Sequence, residues 1–332
     1  MARVSVLLPF HNAGPDLDEA IASIARQTYS DLELLLVDNG STDGGPSIAR
    51  TWVGRDARIR LLHEPRIGIA HALNTGLAHA QGMYIARMDA DDVSHPERLA
   101  KQVDHLQAHP EIGVLGTRTA FATTVERSSG MRWFVDWQNA ILTPHEHYVK
   151  RFVDAPLAHP TVLFRRELVE RYGGYDTGPL PEDHELWLRW MEAGVRFAKL
   201  PEALLTWNDH AGRLSRTHPN YSVDAFFTTK AKWLARWMHR TLNGRPVIIA
   251  GTSGLCRARA AKLEAEGIQI SGYTDVRLRE VPGYVFIPHH VLPPAGEAFI
   301  VSFISQRGTG DRIAAFLASR GLVEGVDFIL AA

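Results

Sequence analysis

Disulfides, membrane-spanning runs and a surplus of either charge are all missing from this sequence. Cys256 is the only cysteine in 332 residues, so no disulfide can close within the chain, which fits a reducing compartment. No apolar run approaches the roughly 18 residues that a membrane-spanning helix needs. The apolar start "VSVLLP" breaks at Pro9 with no small-residue cleavage site behind it, and reads as a strand rather than a secretion signal. Lys and Arg number 36 against 37 Asp and Glu, a net charge of -1. That balance gives no basic surplus for nucleic acid. The expectation is a cytoplasmic protein. Hydrophobic residues make up 45% and charged residues 22%, which excludes wholesale disorder, and the length suits two domains.

What the chain does have is a rhythm. Val4 to Pro9 is continuously apolar, as a strand buried on both faces should be. A helix follows from Asp16, with Glu19 three positions on in a capping-box arrangement and Ile21, Ile24 and Ala25 on its apolar face. "LELLLVD", Leu32 to Asp38, is a second strand, and Gly44, Gly45 and Pro46 lead into a second helix. "IRLLHE" reads as a third strand, "IGIAHALNTGLAHA" as a helix and "GMYIARM" as a fourth strand. This alternation predicts a mostly parallel α/β sheet, whose ligands gather at the carboxyl ends of the strands. Asp38 and the acids from Asp89 fall at two such ends. From Val114 to Leu205 the pattern loosens into a Trp-rich loop region ("MRWFVDWQ"), a short strand ("PTVLFRR") and a helix ("EDHELWLRWMEAG").

The stretch "ARMDADDVSHPERL", Ala86 to Leu99, crowds Asp89, Asp91 and Asp92 into four positions behind an apolar run. In extended backbone the side chains of Asp89 and Asp91 project to one side. Carboxylates that close repel, so either a cation offsets them or one is pushed toward protonation. A hard divalent ion such as Mn2+ or Mg2+ suits oxygen ligands of this kind. The plainer reading makes the acids helix caps. Yet Ser94 and Glu97 form an S-x-x-E capping box with Pro96 in the first turn, so Ser94 already does that work.

Four blocks in order, "VSVLLPFHN", "LLLVDNGSTD", "IGIAHALNTGLAHAQGMYIARMDADD" and "PEDHELWLRW", resemble the family-2 glycosyltransferases of the GT-A fold over about Val4 to Ser215. Many of those begin "VSVIIPVYN" and carry "DDGSTD", "A-x-G-x-Y-I-x-x-x-D-A-D-D" and a later "ED" before "LWLR". The resemblance implies a metal-dependent, inverting transfer of a sugar from a nucleoside-diphosphate donor to a glycan or lipid-linked acceptor, in bacterial surface polysaccharide synthesis. It implies Mn2+ or Mg2+ on Asp91 with Asp89 nearby, Asp89 also meeting the ribose, and His210 reaching the diphosphate or the metal. Pro9, Asp38 and Asn39 fall on the nucleotide side. Asn39 stands where the family has a second Asp, which keeps hydrogen-bonding capacity and loses a charge.

Other positions carry two readings each. Asp43 could face the nucleotide or cap a helix, and the cap is preferred. Arg66 and Arg87 could meet phosphates or pair with neighbouring acids. Asp183 is the implied general base, taking the proton of the acceptor hydroxyl, while Glu182, Asp183 and Glu185 also suit the first turn of a helix. "LLTWNDHAGRLS" is similar to the family's "Y-R-x-H-x-x-S", with Trp207 at an aromatic position, Asn208 in place of Arg, and Ser215 in support of His210. His159 suits packing below the site as well as ligand contact, and Asp92 suits a supporting or turn-forming place.

Phe226 to Leu242 lies outside the resemblance and reads as an amphipathic helix. Phe227, Ala231, Leu234, Trp237 and Met238 form one side, and Lys230, Lys232, Arg236 and Arg240 the other. An inter-domain helix is the preferred reading, and peripheral contact with the inner face of a membrane is the alternative. "RPVIIAGTSGLCRARAAKLEAEG" is strand, glycine turn and helix, vaguely similar to small Rossmann-like nucleotide-binding modules. The full G-x-G-x-x-G is absent, so no cofactor follows. The expected domains are 1–220, a linking helix at 221–243, and a Rossmann-like α/β unit at 244–332. Two other functions compete. A sugar nucleotidyltransferase would carry a Gly-rich, basic loop after the first strand, where this chain has "PFHNAGPD". A non-catalytic nucleotide-sugar-binding protein would not need Asp89, Asp91 and Asp183 intact.

Overall fold

Seven buried residues in a row, Val4–Phe10, form β1. Next come α1 (Gly14–Ala25), β2 (Leu32–Asp38), α2 (Gly45–Arg55), β3 (Ile59–His63), α3 (Ile69–His79) and β4 (Tyr84–Arg87). β1 pairs in parallel with β2 on one edge and β4 on the other, and β3 adds beyond β2. Strands covered on both faces must be apolar throughout. Leu7 and Leu35 enter one core layer, while Val6, Leu8, Leu34 and Leu36 enter the other. The ladder between β1 and β4 runs from Val4 opposite Tyr84 to Leu7 opposite Arg87, and the Met88 N–H donates to Leu7 O at 3.0 Å. The next amide in line belongs to Pro9, which has no N–H to give, so the ladder ends there. The chain leaves the sheet where its acids begin.

The computed structural model describes residues 3–126 and 128–332, in two compact units. The first comprises Met1–His147 and Pro156–Tyr221. After β4 it holds β5 (Val93–Ser94), α4 (Arg98–Ala108), β6 (Ile112–Thr123), α5 (Ser129–Ala140), α6 (Pro144–Lys150), β7 (Leu163–Arg165), α7 (Glu167–Tyr172), α8 (Glu182–Glu192), β8 (Arg196–Asp209) and α9 (Leu214–Thr217). The last turn of α6 already belongs to the second unit. The eight strands order as β3-β2-β1-β4-β7-β6-β8-β5. β7 is antiparallel to both its neighbours, β6 and β8 run parallel, and β5 is antiparallel to β8.

Several local signals were overridden by tertiary contacts. The Trp-rich stretch expected as a loop is α5, whose Met131, Phe134 and Val135 meet the first core. The capping box at Ser94 does not form. Ser94 lies in β5 opposite Leu205, and α4 begins at Arg98, its Leu99 N–H donating to Gln27 Oε1 at 3.0 Å. Nor does Glu19 fold back to cap α1, since it pairs with Arg26 at 2.6 Å. Asp43 does that work instead. Its carboxylate accepts the Gly14 N–H at 2.8 Å and the Gly45 N–H at 2.9 Å, serving the first residues of α1 and α2 together.

The second unit comprises Tyr148–Ala155 and Ser222–Ala332. It holds α10 (Val223–Thr241), β9 (Val247–Ala250), α11 (Gly254–Ala265), β10 (Ile270–Thr274), β11 (Val285–Phe286), β12 (Phe299–Ser302), α12 (Thr309–Ser319) and β13 (Phe328–Leu330). Its strands are all parallel, in the order β11-β10-β9-β12-β13. Gly251 turns the chain after β9 at φ +109°, where a Cβ would meet Cys256 Sγ at 2.6 Å. The helix read as a linker, α10, is part of this unit. Lys230, expected on its polar side, is 4% exposed, and its Nζ donates to Val153 O at 2.9 Å and Ala331 O at 3.2 Å. Burial pushes its pKa down to about 7. Among the described residues no helix is long and apolar enough to cross a membrane.

Candidate active site

Past β4 the backbone turns through Asp89, Ala90, Asp91 and Asp92. Each acid offers a carboxylate oxygen within 4.8 Å of the other two. Asp89 and Asp91 are half-buried, and Asp92 is wholly buried. The end of β8 pins this turn. The Asn208 N–H donates to Asp92 Oδ1 at 2.9 Å, and its side-chain amide donates to Asp91 O at 2.7 Å. The residue that stands in place of a family Arg thus holds the acids' backbone. Two residues on, His210 Nε2 lies 2.9 Å from Asp91 Oδ2.

Two guanidiniums answer the three carboxylates. Arg213, which sequence reasoning missed, lies 3.0 Å from Asp89, 3.2 Å from Asp92 and 3.8 Å from Asp91. It also donates to Asn208 O at 2.7 Å and stacks 4.7 Å from the Trp207 ring. Its signal was available, for it stands three positions after His210 in "HAGRLS". Arg87 must be reassigned from its expected phosphate contact. It is 2% exposed and forms an ion pair with Asp89, so its charge is spent inside the protein.

Beyond these two, the buried Arg98 is a third cation that feels the charge of Asp92. Asp92 Oδ2, though buried, has no hydrogen-bond partner. Burial pushes this carboxyl up to about 7, against the pull of Arg213. An orphaned buried oxygen and three carboxylates that can each offer an oxygen to one point fit a hard divalent cation.

A second group of acids opens α8. Asp183 is half-buried, and its Oδ1 accepts the His184 N–H at 2.7 Å. Glu182 is 3% exposed and accepts a 2.6 Å hydrogen bond from the Tyr221 hydroxyl. His159 Nδ1 lies 3.9 Å from Glu182, while its Nε2 is 2.8 Å from the Tyr175 hydroxyl. The imidazole is buried with its ring edge-on to Trp187, and desolvation holds it neutral, well below its usual pKa. His159 therefore packs below the site. Burial, then the neighbouring Asp183, push Glu182 up to about 7. Arg87 feels the charges of Glu182, Asp92 and Asp91 alike, which ties the acids of α8 to those after β4. Tyr175 and Tyr221 lie outside the sequence blocks, and nothing in their spacing announced them.

Phe10, Asp38 and His63 align in register at the carboxyl ends of β1, β2 and β3. Asp38 Oδ1 accepts the Ser41 N–H at 2.9 Å, and Oδ2 lies 3.5 Å from His63 Nδ1. Pro9 is buried one residue before the end of β1. Asn39, expected to contact the nucleotide, has a different task. It is 4% exposed, donates to Glu64 O and Arg66 O at 3.0 and 2.8 Å, and accepts from the Gly68 N–H at 2.8 Å. Those bonds bolt the loop before α3, where Gly68 sits at φ +139°. A carboxylate there could donate to neither carbonyl. Arg66 is exposed and grips Glu64 with two 2.8 Å hydrogen bonds, which hold the Glu64 carboxyl well below its usual range. Ser215 is exposed in α9, and the pairing in this segment is done by Arg213 and by Arg216, which grips Asp209 at 2.7 Å.

Comparison with known proteins adds to this geometry. The family model described as Glycosyl transferase family 2 matches residues 5–173. EpsE of Bacillus subtilis (strain 168), named as a glycosyltransferase, is 34% identical over 230 residues, covering 67% of this chain and 78% of its own length. The O-antigen biosynthesis glycosyltransferase WbnJ of Escherichia coli is 29% identical over 214 residues, 62% of this chain and 80% of WbnJ. Among solved structures, the mannosyltransferase PcManGT of Pyrobaculum calidifontis, in complex with GDP-Man and Mn2+, aligns with a TM-score of 0.50 at 25% identity. That alignment covers 79% of this chain and 69% of PcManGT.

Proposed function

This chain belongs to glycosyl transferase family 2, and from that premise we propose that it moves a sugar from a nucleoside-diphosphate donor to a glycan or lipid-linked acceptor with inversion at the anomeric carbon. The observation that carries the reading is the convergence of Asp89, Asp91 and Asp92 beyond β4, with their oxygens within 4.8 Å of one another. Asp89 and Asp91, backed by Asp92, would hold Mn2+ or Mg2+, which when bound offsets the charge that grows on the departing diphosphate. The mannosyltransferase relative held with GDP-Man and Mn2+ supports this class of donor and metal.

The chain's own residues divide the remaining work. His210, 2.9 Å from Asp91 and partly exposed, would reach the diphosphate, and Asp38 with His63 would face the nucleotide. Asp183 accepts the proton of the acceptor hydroxyl as that oxygen attacks the anomeric carbon opposite the diphosphate. Burial raises the Glu182 carboxyl to about 7, and the half-buried Asp183 is the more open member of the pair. A single displacement inverts the centre. The kinship with WbnJ supports an acceptor belonging to a bacterial surface polysaccharide.

Melting a panel of nucleotide sugars with the protein, with and without Mn2+, tests this. A ligand that binds only the folded chain must raise its melting temperature, by about 2.7 kcal/mol of stability at a hundred times Kd. One donor class should do so in Mn2+ and fail to do so in EDTA or in Asp91→Ala. No shift with any donor would overturn the reading.

A further inference from the structure

Cations repeat along α10 at helical spacing. Lys232, Arg236 and Arg240 follow four residues apart with His239 beside them, and all four are exposed. From Ala225 to Arg245 the sequence holds no Asp or Glu. Like charges at this spacing repel and weaken a helix. In a chain whose charges balance to -1 overall, such a stripe concentrates positive charge on one exposed face. Among the described residues neither Lys232 nor Arg236 pairs with a carboxylate. Their charged groups, the Lys232 ammonium and the Arg236 guanidinium, lie 5.7 and 5.4 Å from the Trp233 ring while both residues stay exposed. The four basic residues line a groove of about 410 Å³ together with Ala235 and Glu266.

We propose that this face of α10 docks onto an anionic phospholipid surface through the headgroup phosphates. The stripe from Lys232 to Arg240 runs about 12 Å along the helix axis, at 1.5 Å per residue, too long for one phosphate ion. It carries few charges for nucleic acid, where affinity grows with each phosphate neutralised. The apolar side of α10, with Phe227, Leu234, Trp237 and Met238, is already buried in the second unit. The helix therefore has no free apolar face to insert, and contact is electrostatic and screened by salt. The inference is independent of the transferase reading, since none of these residues belongs to the site after β4.

Sedimentation of the full chain with vesicles tests it. The protein should bind vesicles of mixed phosphatidylglycerol and phosphatidylcholine, ignore phosphatidylcholine alone, and come off in about 0.5 M salt. Neutralising both cations in Lys232→Gln/Arg236→Gln should weaken binding by about thirtyfold, from roughly one charge's worth of attraction each. Should the double variant melt lower than the parent, Lys232→Gln alone should still cost about fivefold. Equal binding to neutral vesicles, or no difference between parent and variant, would overturn the proposal. So would failure to bind anionic vesicles while inorganic pyrophosphate, followed by calorimetry, binds the parent and not the variant. That result would give the groove to a soluble phosphate compound.

Discussion

At Asp89, Asp91 and Asp92 the decisive neighbour is Arg213, 9% exposed and within 3.8 Å of all three. Removing it would leave Asp89 with Arg87 and Asp91 with His210. Arg213→Met keeps most of the volume and loses the charge, and breaking so buried a pair costs about 3 kcal/mol. Calorimetric melting in EDTA should show a drop of several degrees. Added Mn2+ should then raise the variant's melting temperature more than the parent's, because the ion meets the carboxylates with one competing guanidinium fewer. A variant that melts like the parent in EDTA would contradict this. The sequence displayed the acids themselves, since three carboxylates behind an apolar strand have few structural uses. It could not rank the residues around them. Arg87 and Asn39 are chemically as fit for a ligand as for the protein, and only their burial decides for the protein.

At the level of elements, the start of α8 sets a pH dependence. Glu182 binds its proton up to about 7 in the folded chain against 4.5 as its ordinary value. Between those values the folded state holds more protons than the unfolded one, so stability falls as pH rises through that window. Glu182→Gln removes this contribution. Its melting temperature should fall less than the parent's between pH 5 and pH 8, and since Asp92 acts with the same sign in both proteins the comparison isolates Glu182. Identical slopes would show that Glu182 is not held protonated. β1 to β4 were legible because a strand buried on both faces writes itself as an unbroken apolar run. α5 was not, because its inward stripe of Met131, Phe134 and Val135 continues to a buried polar Gln138 among scattered tryptophans. Ser94 misled for a similar reason. Pairing of β5 with β8 fixes it in extended backbone, and a glutamine from α1's end supplies the contact that a local cap would have made.

For the whole molecule, the family match covers residues 5–173, and half of the site lies beyond it. The metal-type acids are inside that range, while Asp183, His210 and Arg213 come from α8 and the segment after β8. The second unit was legible as strand–turn–helix alternation, yet its inclusion of Tyr148–Ala155 was not. That octapeptide belongs to it through contacts distant in sequence, such as Val153 O receiving the buried Lys230 ammonium. The account's central claim joins the two halves of the first unit: acids after β4 hold the donor end, and Asp183 activates the acceptor. Nucleoside-diphosphate release in Mn2+, from the donor that stabilises the protein and with acceptor present, measures that claim in parent and Asp183→Asn side by side. The account predicts that the variant keeps the donor-induced rise in melting temperature and turns over about a thousandfold more slowly. Parent-like turnover by the variant would contradict it.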